Sequence, residues 1–202
     1  MYGLIDAYVK GIIKVIVWNK LYKLSEIKQF LFDENFLHEE VDHTLRLCLA
    51  EKRFVVIDDS LYHYIKRQTT SITGKKISSK LFSLKSWGEQ MRNHISTFGN
   101  EYQKNANIIL CNSLVYILKH FIRDYKKNIL APNEFQQEIH LVVDQLLELF
   151  VNANNFLKFR DIENVLTIID DLMIMGVLKK ELLNNWESFF NISQNFTRKN
   201  EK

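Results

Sequence analysis

Proline occurs once and glycine six times in 202 residues. So few chain-breakers leave little material for the turns of an all-β sandwich or barrel, and favour long helices. Cysteine is as scarce. Cys48 and Cys111 both sit among apolar residues of expected helices, which suits buried thiols rather than a disulfide and favours a reducing, cytoplasmic setting. No apolar run reaches the roughly 18 uncharged residues that a membrane-crossing helix needs. The N-terminal Ile12-Ile13 and Val15-Ile16-Val17 are interrupted by Lys14 and lack the small-residue cleavage site of a signal peptide. A soluble chain is therefore expected in the cytoplasm, with peripheral contact at the inner face of the membrane as the alternative. A block of one charge is also lacking. The 27 basic and 24 acidic residues are interleaved to a net charge of +3, which offers no footprint for nucleic acid.

What is present is ordinary globular material, 47% apolar and 25% charged, enough for one or two domains with a real core. Residues 12–17 are β-branched apart from Lys14 and read as a short buried strand. A helix turn near Ser25 to Phe30 and a turn at Asp33-Glu34-Asn35 follow. A helix from about Glu39 to Lys52 carries Val41, Leu45, Cys48 and Leu49 on one stripe. Phe54 to Ile57 and Leu61 to Ile65 read as two more extended pieces, parted by the turn Asp58-Asp59-Ser60.

Near Gly74-Lys75-Lys76 the pattern becomes purely helical, which divides the chain into residues 1–73 and 74–202. The second part has apolar seams at 3-4 spacing. Ile108, Cys111, Val115, Leu118, Ile122 and Tyr125 form the first. Phe135, Ile139, Val142, Leu146 and Leu149 form the next, behind a break at Ala131-Pro132-Asn133 with Asn133 and Gln136 as capping pair. A helix from about Arg160 to Met175 ends at Gly176, and a last one uses Leu178, Leu182, Trp186 and Phe189. The polar tail from Thr197 is expected to fray.

One ordered set of motifs lies in the first part. Trp18-Asn19-Lys20-Leu21-Tyr22 is followed by His38-Glu39-Glu40 at a helix start, then by Leu61-Tyr62-His63-Tyr64, Arg67 and Ser71-Ile72-Thr73. In this order the segments resemble the C-terminal half of a bacterial family 2 glycosyltransferase catalytic domain. The resemblance covers roughly the first third of the chain, and the ordered set is more specific than any member. It implies a mostly α chain in which a partial α/β segment, part of a Rossmann-like GT-A domain, precedes an all-α domain.

The resemblance also implies a reaction: transfer of a sugar from a nucleotide-sugar donor to a glycan or lipid-linked acceptor, in the synthesis of a bacterial surface polysaccharide. Glu40 falls at the position of the general base that deprotonates the acceptor hydroxyl, with Glu39 beside it to contact the acceptor or orient the loop. The family's usual residue there is aspartate, one methylene shorter. His38 belongs to the same acidic motif. Trp18, Asn19 and Lys20 would shape the wall between donor and acceptor sites. Arg67 and Ser71 would contact the departing diphosphate.

Complete relatives use an Asp-x-Asp motif with Mg²⁺ or Mn²⁺ and an N-terminal nucleotide-binding unit of about 100 residues. Neither is found in these 202 residues, so no metal ligand is expected here. Asp58-Asp59 and Asp170-Asp171 follow the acidic motif and do not replace it. The expectation is a C-terminal piece of a larger enzyme, a split chain or a decayed product, not an autonomous catalyst. Plainer roles stand beside these: Glu39 and Glu40 as charges stabilising a helix N-terminus, Trp18 and Tyr22 as core aromatics, Arg67 and Ser71 as surface residues. A non-catalytic helical binding or assembly module that retains a glycosyltransferase remnant, with a protein partner, is the alternative function.

Overall fold

A computed structural model describes residues 3–32, 39–50, 55, 57, 59, 62–63, 82–96, 102–131, 133–152 and 159–200. The chain divides into two compact units, Met1–Lys75 and Lys76–Lys202. Among the described residues the regular structure is helical throughout.

In the first unit, α1 (Leu4–Val9) packs against α3 (Glu39–Ala50), with Ile5 and Tyr8 of α1 and Leu45, Leu47 and Cys48 of α3 buried. Gly11, at φ 69°, ends α1: its N–H donates to the Tyr8 carbonyl and that of Ile12 to the Ala7 carbonyl. A left-handed residue is needed there, and glycine takes that conformation without a Cβ penalty. The chain then drops Ile13 into the core and continues through a 3₁₀ turn, Val17–Asn19, to the four-residue helix α2, Leu24–Ile27.

The partial α/β segment is therefore corrected. Residues 12–17 do not form the expected strand, and the described parts of the other two extended pieces, Val55, Ile57, Tyr62 and His63, belong to no regular element. A β-branched run becomes a strand only where a neighbour supplies ladder partners. Here side chains take the carbonyls instead: Lys20 Nζ donates to those of Lys14 and Ile16, and Thr44 Oγ1 to that of Val15 at 2.9 Å. The buried face of α3 is also more polar than the expected stripe. It carries Asp42, His43 and Thr44 beside Leu45, Leu47 and Cys48, while Val41 and Leu49 are half-buried.

The second unit is a bundle of α4 (Ser83–Ser96), α5 (Gln103–Lys126), α6 (Gln136–Asn152), α7 (Phe159–Ile174) and α8 (Trp186–Asn200). The long α5 is central and packs on α4, α6 and α7, while α8 meets α6 and α7. That position explains why Ile109, Leu110, Leu114, Ile117 and Phe121 are buried beside Cys111, Leu118 and Ile122: three neighbours cover more than one stripe. At Gly88 the backbone of α4 comes so close to α5 that a Cβ would lie 2.9 Å from Leu110 Cδ1.

Gly176, at φ 71°, caps α7 as expected, with the Val177 N–H donating to the Leu172 carbonyl. The expected capping pair does not operate, because Gln136 Nε2 instead donates to the Val177 carbonyl at 3.1 Å. Tyr125 Oη reaches the Met175 carbonyl at 3.1 Å, and Lys126 pairs with Asp171 at 2.9 Å, joining the ends of α5 and α7. Leu182, expected in the last seam, is exposed in a 3₁₀ turn, and α8 extends to Asn200. No described helix is long and apolar enough to cross a membrane.

Candidate functional site

The sequence motifs converge on the first unit. Glu39 and Glu40 occupy the first turn of α3 with Asp42, where the exposed N–H groups of the helix end favour negative charge. Glu39 is exposed and Glu40 half-buried. Tyr8 lies close enough to α3 for its hydroxyl to donate to the Val41 carbonyl at 3.2 Å. Its proton is held far more tightly than usual by burial first, and then by the negative charges of Cys48, Asp42 and Glu40. The Glu40 carboxylate thus shares an electrostatic environment with Tyr8.

Trp18 stands in the 3₁₀ turn with its ring stacked on that of Tyr62, centroids 4.4 Å apart and planes 27° from parallel. Both rings are exposed, Trp18 at 40% and Tyr62 at 50%. Two motifs far apart in the chain thus share one aromatic surface, and neither ring is a core residue.

Asn19 is exposed, and its Oδ1 accepts from Lys20 Nζ at 2.9 Å. Lys20 turns inward onto three oxygen acceptors of its own segment, and burial lowers its pKa, an effect that Cys48 opposes. Its ammonium group braces the backbone that presents Trp18. His38, Arg67 and Ser71 lie outside the described residues, as do Leu61, Tyr64, Ile72 and Thr73.

The first unit also holds a buried polar cluster, where the sequence pattern leads one to expect Asp42 and His43 on a solvated helix face. His43 is fully buried, stacked on Phe32 at 4.4 Å and met edge-on by Tyr22 at 6.0 Å. Neither imidazole nitrogen nor the Tyr22 hydroxyl makes a hydrogen bond of good geometry. Burial lowers the His43 pKa, with Arg46 and Lys20 adding to the effect and Asp42 and the Phe30 backbone opposing it. Tyr22 is raised by burial and by Cys48, and Cys48 itself is pushed up to about 11 by burial.

Arg46 holds the cluster closed. It contacts Asp42 Oδ2 through Nε at 2.8 Å and Nη2 at 2.7 Å, and donates from Nη2 to the Leu31 carbonyl at 2.6 Å. The i, i+4 spacing of Asp42 and Arg46 on the expected helix was the available signal for this pair.

Among the described residues no group of three or more His, Cys, Asp or Glu side chains could hold a metal ion. Those residues thus offer no donor set for the Mg²⁺ or Mn²⁺ that the resemblance implies. Comparisons with family models, with curated proteins and with solved structures found no match to this chain.

Proposed function

We propose that the first unit is the acceptor-side part of a sugar-transfer site of the family 2 glycosyltransferase type, serving surface-polysaccharide synthesis on the cytoplasmic side of the membrane. The single observation that carries this reading is the Trp18–Tyr62 stack, which joins two motifs of the ordered set in an exposed aromatic surface. Paired aromatic rings offer the apolar face of a pyranose a flat partner, while its hydroxyls stay free for polar contacts.

In the proposed reaction the Glu40 carboxylate takes the proton of an acceptor hydroxyl. That oxygen forms the new bond to the anomeric carbon, and the bond to the nucleoside diphosphate breaks, its electron pair leaving with the diphosphate. Glu39 orients the acceptor, Trp18 and Asn19 form the wall beside it, and Lys20 braces that wall. His38, Arg67 and Ser71 keep the roles the resemblance implies. The buried thiols Cys48 and Cys111 are compatible with a cytoplasmic setting.

A second reading, a non-catalytic helical binding module with a protein partner, is favoured by the lack of strands among the described residues and by the well-packed bundle of α4–α8. Titration of the full chain with UDP and Mn²⁺, beside incubation with UDP-sugar donors and oligosaccharide acceptors, separates the two. Saturable nucleotide binding with sugar transfer places catalysis in this chain, and glycan binding alone leaves it the acceptor-side role. Binding of neither sinks the sugar-transfer reading and leaves the helical module.

A further inference from the structure

Residues 10–32 combine two features that a water-facing surface seldom combines. Five lysines (Lys10, Lys14, Lys20, Lys23 and Lys28) stand against the single acidic residue Glu26, in a chain whose whole net charge is only +3. All but Lys20 are exposed. Between them the same segment presents bare aliphatic side chains to solvent: Leu21 is 99% exposed, Leu31 77% and Leu24 66%. Lys23 stands between Leu21 and Leu24, and Lys28 between Leu24 and Leu31.

The leucines are not simply waiting to fold inward. The segment that carries them is tied to α3 at both ends, by the Thr44 donation to Val15 and the Arg46 donation to Leu31, and Lys20 braces its first part on Lys14 and Ile16.

We infer that residues 10–32 form a docking surface for the anionic face of a phospholipid bilayer. The interface of a bilayer accepts both groups at once: leucines enter the acyl boundary, while lysine ammoniums stay at the headgroup level and meet lipid phosphates. The other common occupants fit one half only. Nucleic acid rewards the lysines but gives exposed leucines no partner. The buried centre of a protein interface rewards leucines but is depleted in lysine. Its exposed lysines and leucines hold no role in the sugar-transfer reading, so the inference survives the failure of that reading.

Co-sedimentation of the full chain with large vesicles tests it, using phosphatidylcholine alone and phosphatidylcholine mixed with phosphatidylglycerol. The chain is expected to pellet with the anionic vesicles at low salt, to be released as salt rises, and to ignore the neutral ones. Lys23→Gln and Lys28→Gln should each weaken partitioning about fivefold. Leu21→Ser combined with Leu24→Ser should abolish it while leaving the helical circular-dichroism signal and the melting midpoint unchanged, since both side chains are exposed. Equal partitioning into neutral vesicles, or no partitioning at low salt, overturns the inference. So does a leucine double variant that still binds as the parent does; retained binding of duplex DNA by that variant would mark the lysines as a general anion surface instead.

Discussion

Substitution of Gly88 tests the packing of the helical unit on a distance. On an exposed helix, glycine to alanine stabilises by about 1 kcal/mol, because alanine restricts the unfolded chain and solvates less backbone. At Gly88 the new Cβ would stand 2.9 Å from Leu110 Cδ1, 3.2 Å from Ser113 Oγ and 3.3 Å from Ser113 Cβ. Carbon atoms normally rest about 3.5–4.0 Å apart. Leu110 is fully buried, and Ser113 Oγ donates to the Ile109 carbonyl at 3.0 Å.

Forcing a methyl into such a core costs about 1–3 kcal/mol. The net expectation for Gly88→Ala is a loss of about 1 kcal/mol, which lowers the melting midpoint of this unit by roughly 4 °C. Gly88→Val adds two more methyl groups and should lose more. Leu110→Ala in the Gly88→Ala background removes the clash, so the double variant should be more stable than the sum of the single losses by about 0.5 kcal/mol or more. Calorimetry gives the midpoints, and amide exchange along α4 and α5 assigns the change to this contact. A Gly88→Ala variant that melts higher than the parent, or a strictly additive double variant, would refute the close approach.

Three further outcomes follow from the first unit. His43 is buried neutral with its pKa lowered, so below the ordinary value near 6.5 the unfolded chain binds a proton that the folded chain refuses. Stability should therefore fall as pH drops through that value, level off below the folded pKa, and lose much of this slope in His43→Leu, read from urea midpoints across pH. Arg46→Met leaves the buried Asp42 carboxylate without its partner and unpins Leu31, and should cost about 2 kcal/mol, with faster amide exchange over residues 20–32 as its signature. In any preparation that transfers sugar, Glu40→Gln should reduce kcat by about 100-fold or more while donor affinity stays within a factor of about two. Unchanged turnover in that variant would place the base elsewhere.

The helical half of this chain was legible because its signals are local. A 3-4 apolar spacing, a break at Pro132 and a glycine at 176 specify helices and their ends without reference to the rest of the fold: α7 lies close to its expected bounds, while α5 starts at Gln103, ahead of the expected Ile108. Burial within them was less legible. Ile109 and Leu114 fall off the seam read for α5, yet they are buried because α5 touches three other helices.

The strand at 12–17 failed for the opposite reason. Strand formation depends on a partner that sequence windows do not contain, and Lys20 and Thr44 supplied other partners for the same carbonyls. Trp18 was named from its motif, but its stacking on Tyr62 is a long-range contact that no spacing rule reaches. His43 reads in sequence as part of a solvated helix face because histidine is a poor marker of a core, and only the rings of Phe32 and Tyr22 around it identify its buried place.

The claim that the first unit is the acceptor-side part of a sugar-transfer site rests most heavily on the Trp18–Tyr62 surface. Calorimetric titration of the full chain with surface-polysaccharide oligosaccharides tests it directly, set beside Trp18→Ala and Tyr62→Ala. The account predicts saturable binding by the parent chain and a weakening of about tenfold in each variant, the equivalent of a lost aromatic stack of 0.5–1.5 kcal/mol at its upper end. Oligosaccharide binding that is unchanged in both variants, or absent from the parent, would contradict it.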